Sequence, residues 1–203
     1  MGPRNFIVAI VLATALSAGI FVATRLQAPA TLNIGFVLPA PTPLPEFALL
    51  DQSGVAITRD AFRGHWNLVF FGFTHCPDIC PATLQILAAA RRELQAAGQD
   101  PLPRIALVSV DPERDSPELI GQYIDNFGDN NLGITGNLEE LTKLASGLGI
   151  YFEKQAGEGG AYSVDHTAAV LLVNPDAEFH ALFSGPHRVE NYVHDLPLIM
   201  AGS

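Results

Sequence analysis

Apolar positions along this 203-residue chain change period several times, and each change predicts an element. Residues 6–24 are apolar or small throughout and carry no charge. At ~1.5 Å of rise per residue a helix of that length spans about 28 Å, close to the hydrocarbon thickness of a bilayer. Residues 66–73 and 104–111 are short runs that are apolar on both faces, the pattern of strands covered on both sides. Residues 81–97 instead place Leu84, Leu87, Ala88 and Leu94 at helical spacing, and Gly98 closes that helix. Helices are also predicted over 116–127, where Ser116 can cap with Pro117 at the first position, and over 137–149, which ends on a glycine. A hairpin over 47–58 turns at 51–54. Strands over 151–154, 168–173 and 178–183 follow, the last two joined by an Asn174-Pro-Asp-Ala turn. A final helix covers 189–200, with Pro197 opposing its last turn.

The order is hairpin, then β-α-β-α, then helix, then an antiparallel pair, then helix. That order predicts a thioredoxin-like α/β fold, a central mixed sheet flanked by helices, with an N-terminal hairpin and an insertion before the final hairpin. Three segments result: a transmembrane anchor in 1–25, a spacer in 26–45 and one domain in 46–203. Pro29, Pro39, Pro41, Pro43 and Pro45 give the spacer its character, since each fixes φ and removes an amide donor. In an open sheet, reactive groups sit beyond the C-terminal ends of the parallel strands. Cys76 falls there.

Charge sharpens this organisation. The 46–203 domain carries all 21 acidic residues and, with Arg4 and Arg25 outside it, nine of the 11 basic ones, a net of −12. Such a surface repels nucleic acid and anionic lipid, and no nucleic-acid partner is expected. Arg4 and Arg25 bracket the 6–24 run, which is longer than the ~7–15 apolar residues of a signal peptide. The reading favours an uncleaved anchor, although small residues leave cleavage open. A short N-terminal tail and no Arg-rich transit segment predict a single-pass protein of a bacterial inner membrane with its domain facing the periplasm.

The chemistry concentrates in Phe71-Gly-Phe-Thr-His-Cys-Pro-Asp-Ile-Cys-Pro81, which holds both cysteines, Cys76 and Cys80. Two cysteines at local spacing do not make a disulfide scaffold in a domain of this size. At (i, i+4) both sulfurs can share one face, and a helix N-terminus is expected to favour their thiolates. The pair is a candidate redox-active disulfide and a candidate for a soft metal. Thiolates with an added imidazole suit copper or zinc. No Arg lies within ten residues of Cys76, which counts against a peroxide-reducing thiol. Spacing alone does not choose among six histidines, but His166 precedes the 168–173 strand in the segment that packs against the dithiol of thioredoxin-like folds. Ordinary thioredoxins have a two-residue cysteine spacing and a proline at that strand's start. Here the spacing is three, and His166-Thr-Ala-Ala has no proline. Asp111, Glu113 and Asp115 read as a strand end and helix entry rather than a cation site, and Gly157-Glu-Gly-Gly160 as a flexible loop near the thiols.

Thr74-His-Cys-Pro-Asp-Ile-Cys-Pro81, Val108-Ser-Val-Asp-Pro-Glu-Arg-Asp-Ser-Pro117 and Val164-Asp-His-Thr167 together resemble the Sco/SenC family of cytochrome c oxidase copper chaperones. The resemblance implies a membrane-tethered protein that binds one copper ion, Cu(I) or Cu(II), through Cys76, Cys80 and His166. It implies cytochrome c oxidase subunit II as partner, with assembly of the Cu(A) centre by copper delivery, by reduction of the receiving cysteines, or by both. Other copper chaperones or thiol reductases are expected contacts, and no catalytic residue in the enzymatic sense is implied beyond the thiol pair.

Overall fold

The computed structural model describes residues 31–157 and 162–202. The predicted anchor over 6–24 and most of the Gly157-Glu-Gly-Gly160 loop lie outside the described residues. Among those described, no helix is long and apolar enough to cross a membrane.

An eight-stranded sheet runs through the domain. Its strands are β1 (Gly35–Pro43), β2 (Leu49–Asp51), β3 (Ala56–Ile57), β4 (Asn67–Gly72), β5 (Arg104–Ser109), β6 (Leu132–Thr135), β9 (Val170–Val173) and β10 (Glu178–Phe183). A separate hairpin pairs β7 (Phe152–Ala156) with β8 (Tyr162–His166). The order in the large sheet is β1-β10-β9-β4-β5-β6-β2-β3. β4, β5 and β6 are parallel, and the flanking strands are antiparallel. Among the described residues, four α-helices accompany the sheet: α1 (Ile79–Ala96), α2 (Pro117–Ile124), α3 (Leu138–Gly147) and α4 (Val189–Ala201).

The double-faced apolar runs become the centre of the sheet. Leu68, Phe70, Ile105, Leu107, Val170 and Leu172 on one face and Val69, Phe71, Ala106, Val108, Leu171 and Val173 on the other are all buried, which is why β4, β5 and β9 show no inside-outside alternation. Ser116 caps α2 through its side chain, which accepts from the Leu119 amide, and Pro117 occupies the first turn. Asn137 caps α3 in the same way. α4 continues through Pro197 to Ala201, so the helix predicted over 189–200 forms through its last turn, with Leu196 and Ile199 buried.

Three differences from the sequence reading have physical causes. Residues 35–43 are not spacer but the strand β1, antiparallel to β10 with a register shift between Val37 and Thr42. β1 is an edge strand, where prolines are tolerated because one row of amides needs no partner. Its entry is fixed by buried Asp195 on α4, whose carboxylate accepts the amides of Asn33, Ile34 and Gly35 at 2.8, 2.9 and 2.8 Å. The compact unit accordingly starts at Leu32, not at residue 46. β6 escapes prediction because it is four residues long and includes Gly133, whose missing side chain admits Ile120 of α2. β8 escapes because only Val164 of its five residues is buried.

Candidate metal centre

The loop from β4 to α1 carries the thiols. The Cys76 amide donates to the Phe73 carbonyl at 3.2 Å, turning the chain so that Cys76 faces inward before α1 begins at Ile79. Cys80 therefore lies inside the first turn of α1. Both cysteines are free and buried. The Cys80 amide donates to Cys76 Sγ at 3.4 Å, an orphan helix-start donor aimed at sulfur. Gly72 makes room behind them, since a Cβ there would lie 3.0 Å from Cys80 Sγ.

His166 ends β8, opposite Phe152 in the hairpin, and its Nε2 lies 3.4 Å from Cys80 Sγ. Its ring packs edge-on against Phe70 and Phe73, with centroids 5.8 and 6.0 Å away. Nδ1 is 3.1 Å from the Thr167 carbonyl, which can only accept, so Nδ1 carries the hydrogen and Nε2 presents its lone pair to the sulfurs. Burial lowers the His166 pKa and favours that neutral ring. Burial also pushes the Cys80 thiol well up, reinforced by its bond with Cys76. The expected helix-dipole depression does not prevail at Cys80, because removing the thiolate from water outweighs it.

Cys76, Cys80 and His166 each offer one ligand atom, and these atoms lie within 4.8 Å of one another. Donors bonded to one ion at ~2.0–2.3 Å lie at most about 4.6 Å apart, so the trio needs little closure to share an ion. The neutral imidazole and the two sulfurs form a soft S₂N set that fits copper. A cleft of about 450 Å³ lined by Phe73, Pro77, Ile79 and Val164 opens onto Cys76 and His166, while Cys80 is fully buried. A larger cleft of about 730 Å³, which includes Gln52, Arg91 and Arg104, holds none of the three. His75 stays outside the set, its Nδ1 3.0 Å from the Thr74 hydroxyl.

The acidic segment after β5 does more than start a helix. Buried Asp115 accepts the Thr74 hydroxyl at 2.6 Å and the Ser109 hydroxyl at 2.7 Å, pinning the cysteine loop to the end of β5. Asp111 pairs with Arg114 and accepts the Tyr162 hydroxyl at 2.8 Å. Partial burial and that bond push the Tyr162 phenol up to about 12, keeping it a donor. The Arg114 guanidinium lies over the Phe73 ring, 5.8 Å from its centroid, and its bonds go to Asp111 and the Tyr162 carbonyl rather than to sulfur. Sequence reasoning named the three residues that converge here and missed these supports. Spacing gave no sign that Asp111 and Asp115 face different partners.

The SCO1/SenC family model matches residues 39–201. The chain belongs to the SCO1/SenC family. The mouse mitochondrial protein SCO2 homolog is 36% identical to this Sco-family chain over 152 residues, 74% of this chain and 60% of that protein. The chain thus spans about three fifths of that relative's length. The structure of Arabidopsis thaliana ScoI with copper bound superposes with a TM-score of 0.74 at 32% identity, covering 79% of this chain and 99% of that one. BsSco, described as a member of the Sco family of cytochrome c oxidase assembly proteins, shares the fold with a TM-score of 0.64 at 24% identity, covering 81% and 97%. The thioredoxin-like fold of the Sco family is therefore that of this chain.

Proposed function

We propose that this Sco-family chain is a copper-binding metallochaperone that holds one Cu(I) or Cu(II) ion on Cys76, Cys80 and His166 and assists assembly of the Cu(A) centre of cytochrome c oxidase. The observation that carries the reading is the convergence of two buried free sulfurs and one correctly protonated imidazole within 4.8 Å. Copper is the cargo. Cys76 and Cys80 bind it as thiolates and release their protons to solvent, while His166 binds through Nε2 without losing one. The Phe70 and Phe73 rings keep the imidazole from turning away.

In this reading residues 6–24 anchor the chain in a bacterial inner membrane, the domain faces the periplasm, and subunit II of the oxidase receives the copper. Net negative charge on the domain supports a partner with a basic face. Thiol-disulfide exchange with the receiving cysteines is a second role, supported by the adjacent Cys76 and Cys80. The raised pKa that burial gives Cys80 lowers its thiolate fraction and slows its attack on a disulfide, and copper must displace the same proton to bind. Titrating the reduced full chain with copper tests the proposal. One ion per chain and sulfur-to-copper charge-transfer absorption are expected, and reduced protein that takes up no copper overturns it.

A further inference from the structure

We infer that Tyr162, clamped by Asp111 and Arg114, is a positioning residue that sets how firmly His166 completes the donor set, and so tunes the preference of the site between Cu(II) and Cu(I). The inference rests on the proposed copper site and concerns residues that none of the three donors includes.

The two sulfurs and the imidazole arrive on separate pieces of the fold. Cys76 and Cys80 belong to the loop and helix that follow β4, in the body of the large sheet. His166 stands at the end of β8, in a two-stranded hairpin that pairs with no strand of that sheet. Tyr162 begins β8, four residues before the ligand, and there the hairpin is fastened. Its hydroxyl donates to Asp111 Oδ1 at 2.8 Å. Its carbonyl accepts from Arg114 Nη1 at 3.3 Å. The Arg114 guanidinium and the Lys154 ammonium both lie 3.8 Å from the ring centroid, and Lys154 is tied to Glu113 at 2.7 Å. Asp111, Glu113 and Arg114 all belong to the segment that Asp115 bonds to Thr74, beside the cysteines. One short loop therefore holds the thiol loop with Asp115 and the imidazole hairpin with Asp111 and Arg114.

The consequence for metal choice is chemical. Two thiolates alone suffice for Cu(I), whereas Cu(II) needs the nitrogen donor as well. Loosening the hairpin withdraws Nε2 and leaves the sulfurs in place, so it penalises Cu(II) selectively. Groups that orient a ligand from the next shell typically change metal affinity by ~10–100-fold.

The experiment compares full-length wild type with Tyr162→Phe, which loses only the bond to Asp111, and Tyr162→Leu, which also loses the ring beneath Arg114 and Lys154. Competition titrations with Cu(II) and Cu(I) give the affinity ratio. We expect Cu(II) affinity to fall by about 10-fold in Tyr162→Phe and by up to ~100-fold in Tyr162→Leu, with Cu(I) affinity within about 2-fold of wild type. In the copper-free protein, amide exchange in β7 and β8 should accelerate while β4, β5 and β9 remain protected. Equal losses of both oxidation states, or unchanged hairpin exchange in both variants, overturns the inference. Failure of the wild type to bind copper overturns the proposed function instead, and the exchange measurement still decides whether Tyr162 fastens the hairpin.

Discussion

Cys80 Sγ and His166 Nε2 lie 3.4 Å apart although 86 residues separate them in sequence. The contact joins the first turn of α1 to the end of the β7-β8 hairpin, so neither element alone can make the site. Replacing His166 with Ala removes the only nitrogen of the set and leaves both thiols. Cu(II) affinity should fall on the order of 100-fold or more, while the thiol pair still oxidises and reduces. Competition titration and loss of the sulfur-to-copper band check this, and undiminished Cu(II) affinity would remove His166 from the ligand set.

Gly72 has no side chain where one would press on Cys80 Sγ and the Phe70 ring, each 3.0 Å from its ideal Cβ. Gly72→Ala should destabilise the domain by about 1–3 kcal/mol through overpacking and shift Cys80 away from His166. Denaturant unfolding and copper titration of the same variant would show both effects together. Wild-type stability with wild-type copper affinity would mean that the loop absorbs the methyl freely.

Thr74→Val keeps the shape of the side chain but removes the hydroxyl that bonds Asp115 at 2.6 Å. Hydrogen bonds to charged groups contribute about 1.5–3 kcal/mol, and the buried carboxylate keeps Ser109 as a partner. A stability loss within that range is expected, with Thr74→Ser restoring most of it. No rescue by Ser would place the effect in packing rather than in the bond.

Asp195 gives a pH dependence. Burial alone would raise its pKa, but the amide of Asn33, the His194 ring and the amides of Ile34 and Gly35 outweigh it and hold the carboxyl below its ordinary value. A depressed folded-state pKa contributes stability that is complete above the unfolded value of ~3.9 and is lost as pH falls through the folded one. Asp195→Asn should therefore cost about 1–3 kcal/mol at pH 7, and the gap between wild type and variant should shrink on acidification below about pH 4. A gap that stays constant down to pH 2 would contradict the assignment.

What could be read from the sequence follows from how local the signals are. The apolar runs of β4, β5 and β9 and the caps at Ser116 and Asn137 are written in neighbouring residues, and the structure has them within a few positions. The candidate donors were legible because both cysteines share one motif and His166 sits in a segment that resembles a known family. Long-range partners were not legible. Nothing near Asp115 announces Thr74, 41 residues earlier, and nothing near Asp195 announces Gly35, 160 residues earlier. β1 was misread because prolines were judged by their effect on a central strand, whereas their effect depends on which side of the strand has a neighbour.

That last point bears on how another protein could meet this one. Pro39, Pro41 and Pro43 remove amide donors from one margin of the large sheet, and the opposite margin is the two-residue β3. Among the described residues, neither margin offers a continuous row of backbone groups for a foreign strand to template on, which discourages end-to-end polymerisation and recognition by strand addition alike. Contacts must then be made through side chains, and the exposed Ile79 at the rim of the cleft is placed for such an encounter.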